Sequence, residues 1–416
     1  MRNWALFLHF YQPSTQDTAL TKHVLEASYL PVLDLLLDHP EQRFSVNISG
    51  SLILQLEKIH ANSFFDKVQT LAERNQIELV NSPVHHPIAP LTPWNIVSRQ
   101  LEYDYSLSSS LISNSPSDTL FLAELAIDHL MLQNIEKSNK YRWCLVDEST
   151  VHPQFELDTI SGYRVAKYKN LLLPVSSRSL AELLRAYPTW INQHKLIDFI
   201  YEQTPENDTI ISGNDVELFG HHYEERIHVF SELLKMEDRI KFVTVSEAIE
   251  KQEPLELELK KFTPSSWQTT HSELEANTPF ARWLDSTNKL QQQYHHLAQK
   301  VYDAFSTVEK PDDDIGLVYD SAKKHLDRGY ASCHLYWLSN NPWWHPDFVE
   351  VGAKELVKAI RSLDIDLEIK REIEKLYAEF IHDLWQYHWS GNIEEQFRLY
   401  EKERQEILSH LPTNLS

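Results

Sequence analysis

The sequence predicts an α/β protein in which a closed or nearly closed β/α barrel precedes a helical bundle. Three observations lead there. Up to about residue 250, short β-rich runs alternate with helical stretches, the pattern of a parallel sheet with crossover helices. There are seven or eight such units, which points to a barrel rather than an open sheet. Beyond about residue 280, apolar residues recur at the three-and-four spacing of buried helix faces. At 416 residues, the chain has room for two or three units of about 150 residues each.

The expected strands, in order, are Trp4–Phe10, Arg43–Ile48, Gln76–Asn81, Thr119–Ala123, Tyr141–Val146, Tyr163–Tyr168, Thr209–Ser212 and Lys241–Val245. Each is short and rich in β-branched, aromatic or leucine residues, as strands covered on both faces are. Residues 250–280 lose periodicity and read as a linker with room for one more strand at Leu255–Leu259. This sets the expected domains at 1–260 and 261–416. In the second, Trp283–Phe305 forms one helix. His345-Pro346-Asp347 opens another, with Pro at its first position and Val349, Leu356, Val357 and Ile360 inward. From Leu367 a third presents Ile369, Ile373, Leu376, Phe380 and Leu384 on one face, and Ile393–Leu411 forms a fourth.

Composition narrows the function. With 39 Lys plus Arg against 61 Asp plus Glu, the net charge of −22 repels nucleic acid and anionic membrane surfaces. Only 8 glycines occur, where average usage gives roughly 29, and neither GxGxxG nor GxxxxGK[ST] is present. The 11 tryptophans and 18 tyrosines supply flat faces suited to sugar rings. Cys144 and Cys333 make neither a disulfide framework nor a four-thiolate zinc site. The short N-terminal apolar stretch does not read as a signal peptide and no run reaches 18 apolar residues, so a cytoplasmic location is expected.

In a β/α barrel the chemistry lies just past the C-terminal strand ends. Polar residues a core would not choose occur there: His9 and Gln12 after the first strand, Asn47 after the second, His86 after the third, Glu124 after the fourth, and Asp215, Glu217 and His222 after the seventh. A carboxylate ending an apolar strand is costly unless it is paired or has a task. Glu124 and Asp215 therefore stand out, since acid–base and nucleophilic work on an acetal needs two carboxylates flanking one bond. The competing reading of each is a helix-capping carboxylate. Among the 21 histidines no HExxH or HxxxH occurs, and His221-x-x-Glu224 and His222-x-x-Glu225 read as a solvated turn rather than metal ligands. The segment from Ala331 to Pro346 is the densest aromatic patch, and Trp337 and Trp343 are its candidate sugar platforms, with core packing as the competing reading.

In this order the segments resemble the conserved regions of glycoside hydrolase family 57. His9-Phe10-Tyr11-Gln12-Pro13 resembles the first, with stretched spacing; Gln76–Leu79 through His86-Pro87-Ile88 the second; Phe121-Leu122-Ala123-Glu124 the nucleophile region, with Phe121 where Trp is common; and Asp215-x-Glu217-x-Phe219-Gly220-x-His222 the acid/base region. The stretch from Trp337 to His345 is similar to the helical region that completes the substrate site. The resemblance implies a distorted TIM-like (β/α)7 barrel followed by an α-helical bundle. It implies a retaining hydrolase or transferase acting on an α-glucan or maltooligosaccharide, α-amylase or 4-α-glucanotransferase in type, with Glu124 as nucleophile and Asp215 as acid/base. His9, His86 and Glu217 would then orient sugar hydroxyls, with Gln12, Asn47, Phe219, His222, Trp337 and Trp343 also at the substrate. No metal or other cofactor is expected. Two other readings stay open: a metal-dependent polysaccharide deacetylase or mannosidase on a related barrel, and a non-catalytic carbohydrate-binding homologue.

Overall fold

A computed structural model describes residues 1–111, 118–151, 164–185, 192–204, 209–309, 315–340 and 343–398. The described residues divide into two compact units, one holding residues 1–84 and 89–271, the other residues 85–88 and those from Ser272 to Arg398.

Among the described residues the first unit carries ten strands: β1 (Arg2–Phe10), β2 (Phe44–Ile48), β3 (Ile77–Leu79), β4 (Thr119–Phe121), β5 (Trp143–Asp147), β6 (Val165–Tyr168), β7 (Leu171–Ser176), β8 (Thr209–Asp215), β9 (Ile240–Phe242) and β10 (Leu255–Glu256). They form two sheets, one ordered β3-β2-β1-β8 with β9 also on β1, the other β10-β6-β7-β5-β4. All pairings are parallel except the β6–β7 hairpin. The sheets do not merge into one continuous ladder, but they meet at two seams. Asn81 bridges to Leu120 between β3 and β4, and the Ser177 N–H donates to the Ile211 carbonyl at 2.7 Å between β7 and β8. The result is a distorted barrel of the expected kind.

Each expected strand region is matched by an observed strand, and β7 is an addition that the sequence reading did not include. Its run Leu-Leu-Leu-Pro-Val-Ser contains Pro174, which argues against a central strand. The proline is accommodated opposite Val165 in the antiparallel hairpin, and Lys169 takes a positive φ of 52° in the turn between the strands.

Side-chain alternation then aims the functional residues. On β1, Trp4, Leu6, Leu8 and Phe10 belong to the largest core, shared with the flanking helices, while Ala5 and Phe7 face a second core with Phe121, Leu145, Ile211 and Trp267. Because alternate residues share a face, His9 continues the Ala5–Phe7 file, as Asp215 continues the Ile211–Gly213 file on β8. Register aligns the rows: Ser45, Phe7 and Gly213 are neighbours across three strands, and one step on so are Asn47, His9 and Asp215. Burying Phe7 completely stabilises the fold by roughly 1.5–3 kcal/mol, and this apolar row is the floor beneath the polar one.

The second unit is helical, with helices at Lys289–Ser306, Ile315–Gly329, Pro346–Arg361 and Leu367–His388. The first begins six residues later than the expected Trp283, where the Asn288 side chain caps it by accepting from the Gln291 N–H at 3.1 Å. His345 caps the third through the Phe348 N–H at 3.3 Å, with Pro346 at its first turn, and Val349, Leu356, Val357 and Ile360 are all buried. On the fourth, Ile373, Phe380 and Leu384 are buried. Ile369, expected on that face, is 38% exposed because it lies in the first turn. Of the expected Ile393–Leu411 helix, residues 393–398 are helical and the rest lies outside the described residues.

Candidate active site

The polar row at the C-terminal end of the barrel is organised around His9. Its ring is buried and its Nδ1 lies 2.8 Å from Asn47 Oδ1. Asn47 Nδ2 donates to the Val80 carbonyl at 2.6 Å and to Ser82 Oγ at 3.1 Å. That commitment turns the amide oxygen toward His9, so the imidazole carries its proton on Nδ1. Burial lowers the His9 pKa; the Asp215 charge and the Asn47 hydrogen bond oppose it. His9 stacks on Tyr11, with centroids 5.7 Å apart and planes 10° apart, and meets Phe121 at 4.6 Å.

Phe121 links this row to Glu124. It packs on Trp267 at 6.0 Å, and Trp267 Nε1 donates to Glu124 Oε2 at 2.5 Å while its backbone N–H donates to the Glu124 carbonyl at 3.0 Å. Glu124 sits in the left-handed region, φ 60° and ψ 17°, inside the single 3₁₀ turn Ala123–Leu125. A non-glycine residue there is strained and is held only where its surroundings over-determine it; two contacts from one tryptophan do so. The loop bearing Trp267 is pinned by Arg178, which donates to the Ser266 carbonyl at 2.7 Å, to the Thr269 carbonyl, and through Nη2 to Asp147 Oδ1 at 2.6 Å. Asp147, the last residue of β5, is thus a buried ion-pair partner.

Asp215 is the last residue of β8, and the chain turns at once into the 3₁₀ segment Val216–Leu218. Glu217 is 5% exposed. Its Oε1 accepts from the Tyr29 hydroxyl, from the Tyr11 N–H at 3.3 Å and from Gln12 Nε2 at 3.4 Å. Burial, and then the negative charge of Asp215, push Glu217 up to about 8, against the hydrogen bonds from Tyr29 and Tyr11. Glu217 therefore carries a proton at neutral pH beside Asp215. Burial likewise raises the Tyr29 hydroxyl well above its ordinary value, keeping it a neutral donor.

The structure thus brings His9, Gln12, Asn47, Asp215 and Glu217 together in the first unit and connects them through Phe121 and Trp267 to Glu124. His222 is an exposed neighbour whose backbone N–H donates to the Glu217 carbonyl at 2.8 Å, and the Asp215 charge reaches it. Phe219, expected at the substrate, has no exposed surface and packs on Phe230 at 4.8 Å, so it is a core residue under the site. His86, Trp337 and Trp343 belong to the second unit. There His86 Nδ1 pairs with Ser332 Oγ at 3.0 Å, and Trp343, 42% exposed, meets Trp337 edge-on at 5.6 Å.

Sequence reasoning did not single out Tyr29, Trp267, Arg178 or Asp104. Asp104 is fully buried, accepts from the Gly50 N–H at 2.9 Å and the Ser82 N–H at 3.1 Å, and is raised by burial to about 7. It ties together the loops that follow β2 and β3. Among the described residues no group of three or more His, Cys, Asp or Glu is arranged to hold a metal ion.

Glu124 and Asp215 thus lie at strand ends of a β/α barrel, Glu124 framed by Trp267 and Asp215 beside His9 and Glu217. The glycosyl hydrolase family 57 model matches residues 5–261, and the chain belongs to that family. α-Amylase 1 of Dictyoglomus thermophilum is 36% identical over 90 residues, a match spanning 22% of this chain and only 13% of the amylase. The fold matches a family 57 branching enzyme from Thermococcus kodakaraensis with TM-score 0.68 at 13% identity, covering 91% of this chain and 95% of that one. It also matches a 4-α-glucanotransferase from Thermococcus litoralis with TM-score 0.64 at 17% identity, covering 87% of this chain and 60% of that one.

Proposed function

We propose that the chain is a retaining enzyme acting on α-glucans, with Glu124 as nucleophile and Asp215 as acid/base. Family membership supports the chemistry, and the amylase and glucanotransferase relatives support the substrate class. The observation that carries the reading is the shared frame of the two carboxylates. His9, the cross-strand neighbour of Asp215, meets Phe121, and Phe121 meets Trp267, the donor to Glu124.

In this mechanism Asp215 gives its proton to the glycosidic oxygen as the bond to the leaving sugar breaks, and Glu124 attacks the anomeric carbon to form a glycosyl ester. Asp215, now a carboxylate, takes a proton from water or from a sugar hydroxyl, and that oxygen displaces Glu124 with net retention. The Trp267 N–H holds one oxygen of Glu124 and thereby sets which oxygen attacks. Once Asp215 has given up its proton, a neutral Glu217 beside it avoids a second buried negative charge and presents a proton to a substrate oxygen. Neutral His9 fixes the orientation of the row.

Incubation of the full chain with maltoheptaose tests the reading. Shorter products alone indicate hydrolysis, and longer ones as well indicate glucan transfer. An unchanged substrate contradicts the proposal.

A further inference from the structure

A helical stretch of the first unit is interrupted where it meets the turn after β8. Thr18–Val24 and Leu30–Asp38 are α-helical, and between them Leu25–Tyr29 is a π turn, closed by the Leu30 N–H on the Leu25 carbonyl five residues back. Pro31 explains the interruption. It has no N–H to give to the Ala27 carbonyl four residues back, and in a regular helix its ring would crowd that oxygen. Such π turns inside α-helices occur frequently at functional sites.

Three consecutive residues of this turn address the segment that follows β8. The Ala27 carbonyl lies against Gly220, where a Cβ would collide with its oxygen. Ser28 Oγ donates to the Val216 carbonyl at 2.8 Å, and the Tyr29 hydroxyl donates to Glu217 Oε1. Ser28 and Tyr29 are wholly buried, and the Tyr29 ring is held by Phe10 and Phe64, with centroids 5.2 and 6.3 Å away. One element thus grips the Asp215–Glu217 turn by backbone, hydroxyl and phenol.

This grip makes the two oxygens of Glu217 unequal. Oε1 takes the Tyr29 hydroxyl, the Tyr11 N–H at 3.3 Å and Gln12 Nε2 at 3.4 Å. In a carboxylic acid one oxygen carries the proton and the other only accepts, so three donors on Oε1 leave the proton to Oε2. The charged neighbour of Glu217 is Asp215 at the end of β8, and His9 and His222 feel the Asp215 charge in turn.

We propose that Tyr29 is a positioning residue of the acid/base step: the π turn holds its hydroxyl on Glu217 Oε1, which leaves Oε2 as the oxygen that presents a proton beside Asp215. The placement of Tyr29 rests on these contacts; its part in turnover rests on the proposed function above.

Tyr29→Phe removes the hydroxyl and keeps the ring packed on Phe10 and Phe64. The first readout needs no substrate. Urea unfolding from about pH 6 to 10 is measured with and without Glu217→Gln, because the amide does not titrate and the difference isolates Glu217. With Tyr29 in place that difference should level off above about pH 8. In the Tyr29→Phe background it should go on growing to higher pH, since the Tyr29 hydrogen bond favours ionised Glu217 and its loss retains the proton longer. The second readout is kinetic: kcat on maltoheptaose should fall about threefold to tenfold with KM within about twofold. A plateau that stays in place, as a general loosening of the fold would leave it, overturns the proposal. So does one that moves to lower pH, which would make Glu217 the donor to the hydroxyl, and so does an unchanged kcat. The catalytic reading fails by a different result, intact maltoheptaose after incubation with the unsubstituted protein, and the plateau then still decides the placement of Tyr29.

Discussion

Glu217→Gln is expected to stabilise the protein above neutral pH and to leave it almost unchanged in acid. In the native state Glu217 is buried beside Asp215, which raises its pKa from the ordinary 4.5 to about 8. A group whose folded-state pKa is raised adds stability below its unfolded value, and that stability is lost as pH rises through the folded value. Below about pH 4 both states hold the proton and the carboxylic acid resembles the amide. Between about pH 4.5 and 8 the unfolded chain releases the proton while the native one keeps it, so native stability falls. At about 1.4 kcal/mol per pH unit, the whole window amounts to about 5 kcal/mol. The amide does not titrate, and its oxygen can still accept from Tyr29. Urea unfolding of both proteins at pH 4.5, 6.5 and 8.5 should give a stability difference that grows steadily toward alkaline pH, to several kcal/mol in favour of Gln. A difference that stays constant with pH would refute the protonated Glu217 and the proton inventory built on it.

Trp267→Phe keeps the ring packed near Phe121 but removes the N–H that holds Glu124. The loss of a hydrogen bond to a charged group, about 1.5–3 kcal/mol, should lower kcat roughly 10- to 150-fold on maltoheptaose with little change in KM; a change in KM alone would argue against the assigned role. Phe219→Ala should lower unfolding free energy by about 3–5 kcal/mol without changing KM where the protein remains folded, because Phe219 is core. Gly220→Ala should lower the Tm sharply, costing roughly 2 kcal/mol or more. Its φ is +106° and a Cβ would lie 2.2 Å from the Ala27 carbonyl oxygen, so an unchanged Tm would contradict the geometry.

The barrel was legible because both of its signals are local. The run Trp4–Leu8 is apolar without interruption, as a buried parallel strand is, and polar residues at and just past the strand ends, such as His9 and Asn47, break that pattern visibly. Asp215 and Glu217 were found in this way. What escaped were partners distant in sequence. Tyr29 reaches Glu217 from a helical segment 188 positions away, and Trp267 reaches Glu124 from 143 positions away; no periodicity marks either. Phe219 was misread for a related reason. It sits in the same short motif as Asp215, yet the turn after β8 points it into the core against Phe230. His86 was grouped with the barrel rim because it follows the third strand, but residues 85–88 pack with the helical unit, where Ser332 holds its ring. Strand β7 was hidden by Pro174, a residue that argues against a central strand and that lies opposite Val165 in the β6–β7 hairpin.

The central claim is that Glu124 becomes covalently glycosylated while Asp215 handles the proton. The most direct measurement is peptide mass spectrometry of the Asp215→Asn protein after brief incubation with α-maltotriosyl fluoride, whose leaving group needs no acid. The account predicts one maltotriosyl adduct on the peptide bearing Glu124, accumulating because the base for the second step is gone, and absent when Glu124→Gln is added. An adduct on another residue, or none although the unsubstituted protein turns over maltoheptaose, would contradict it.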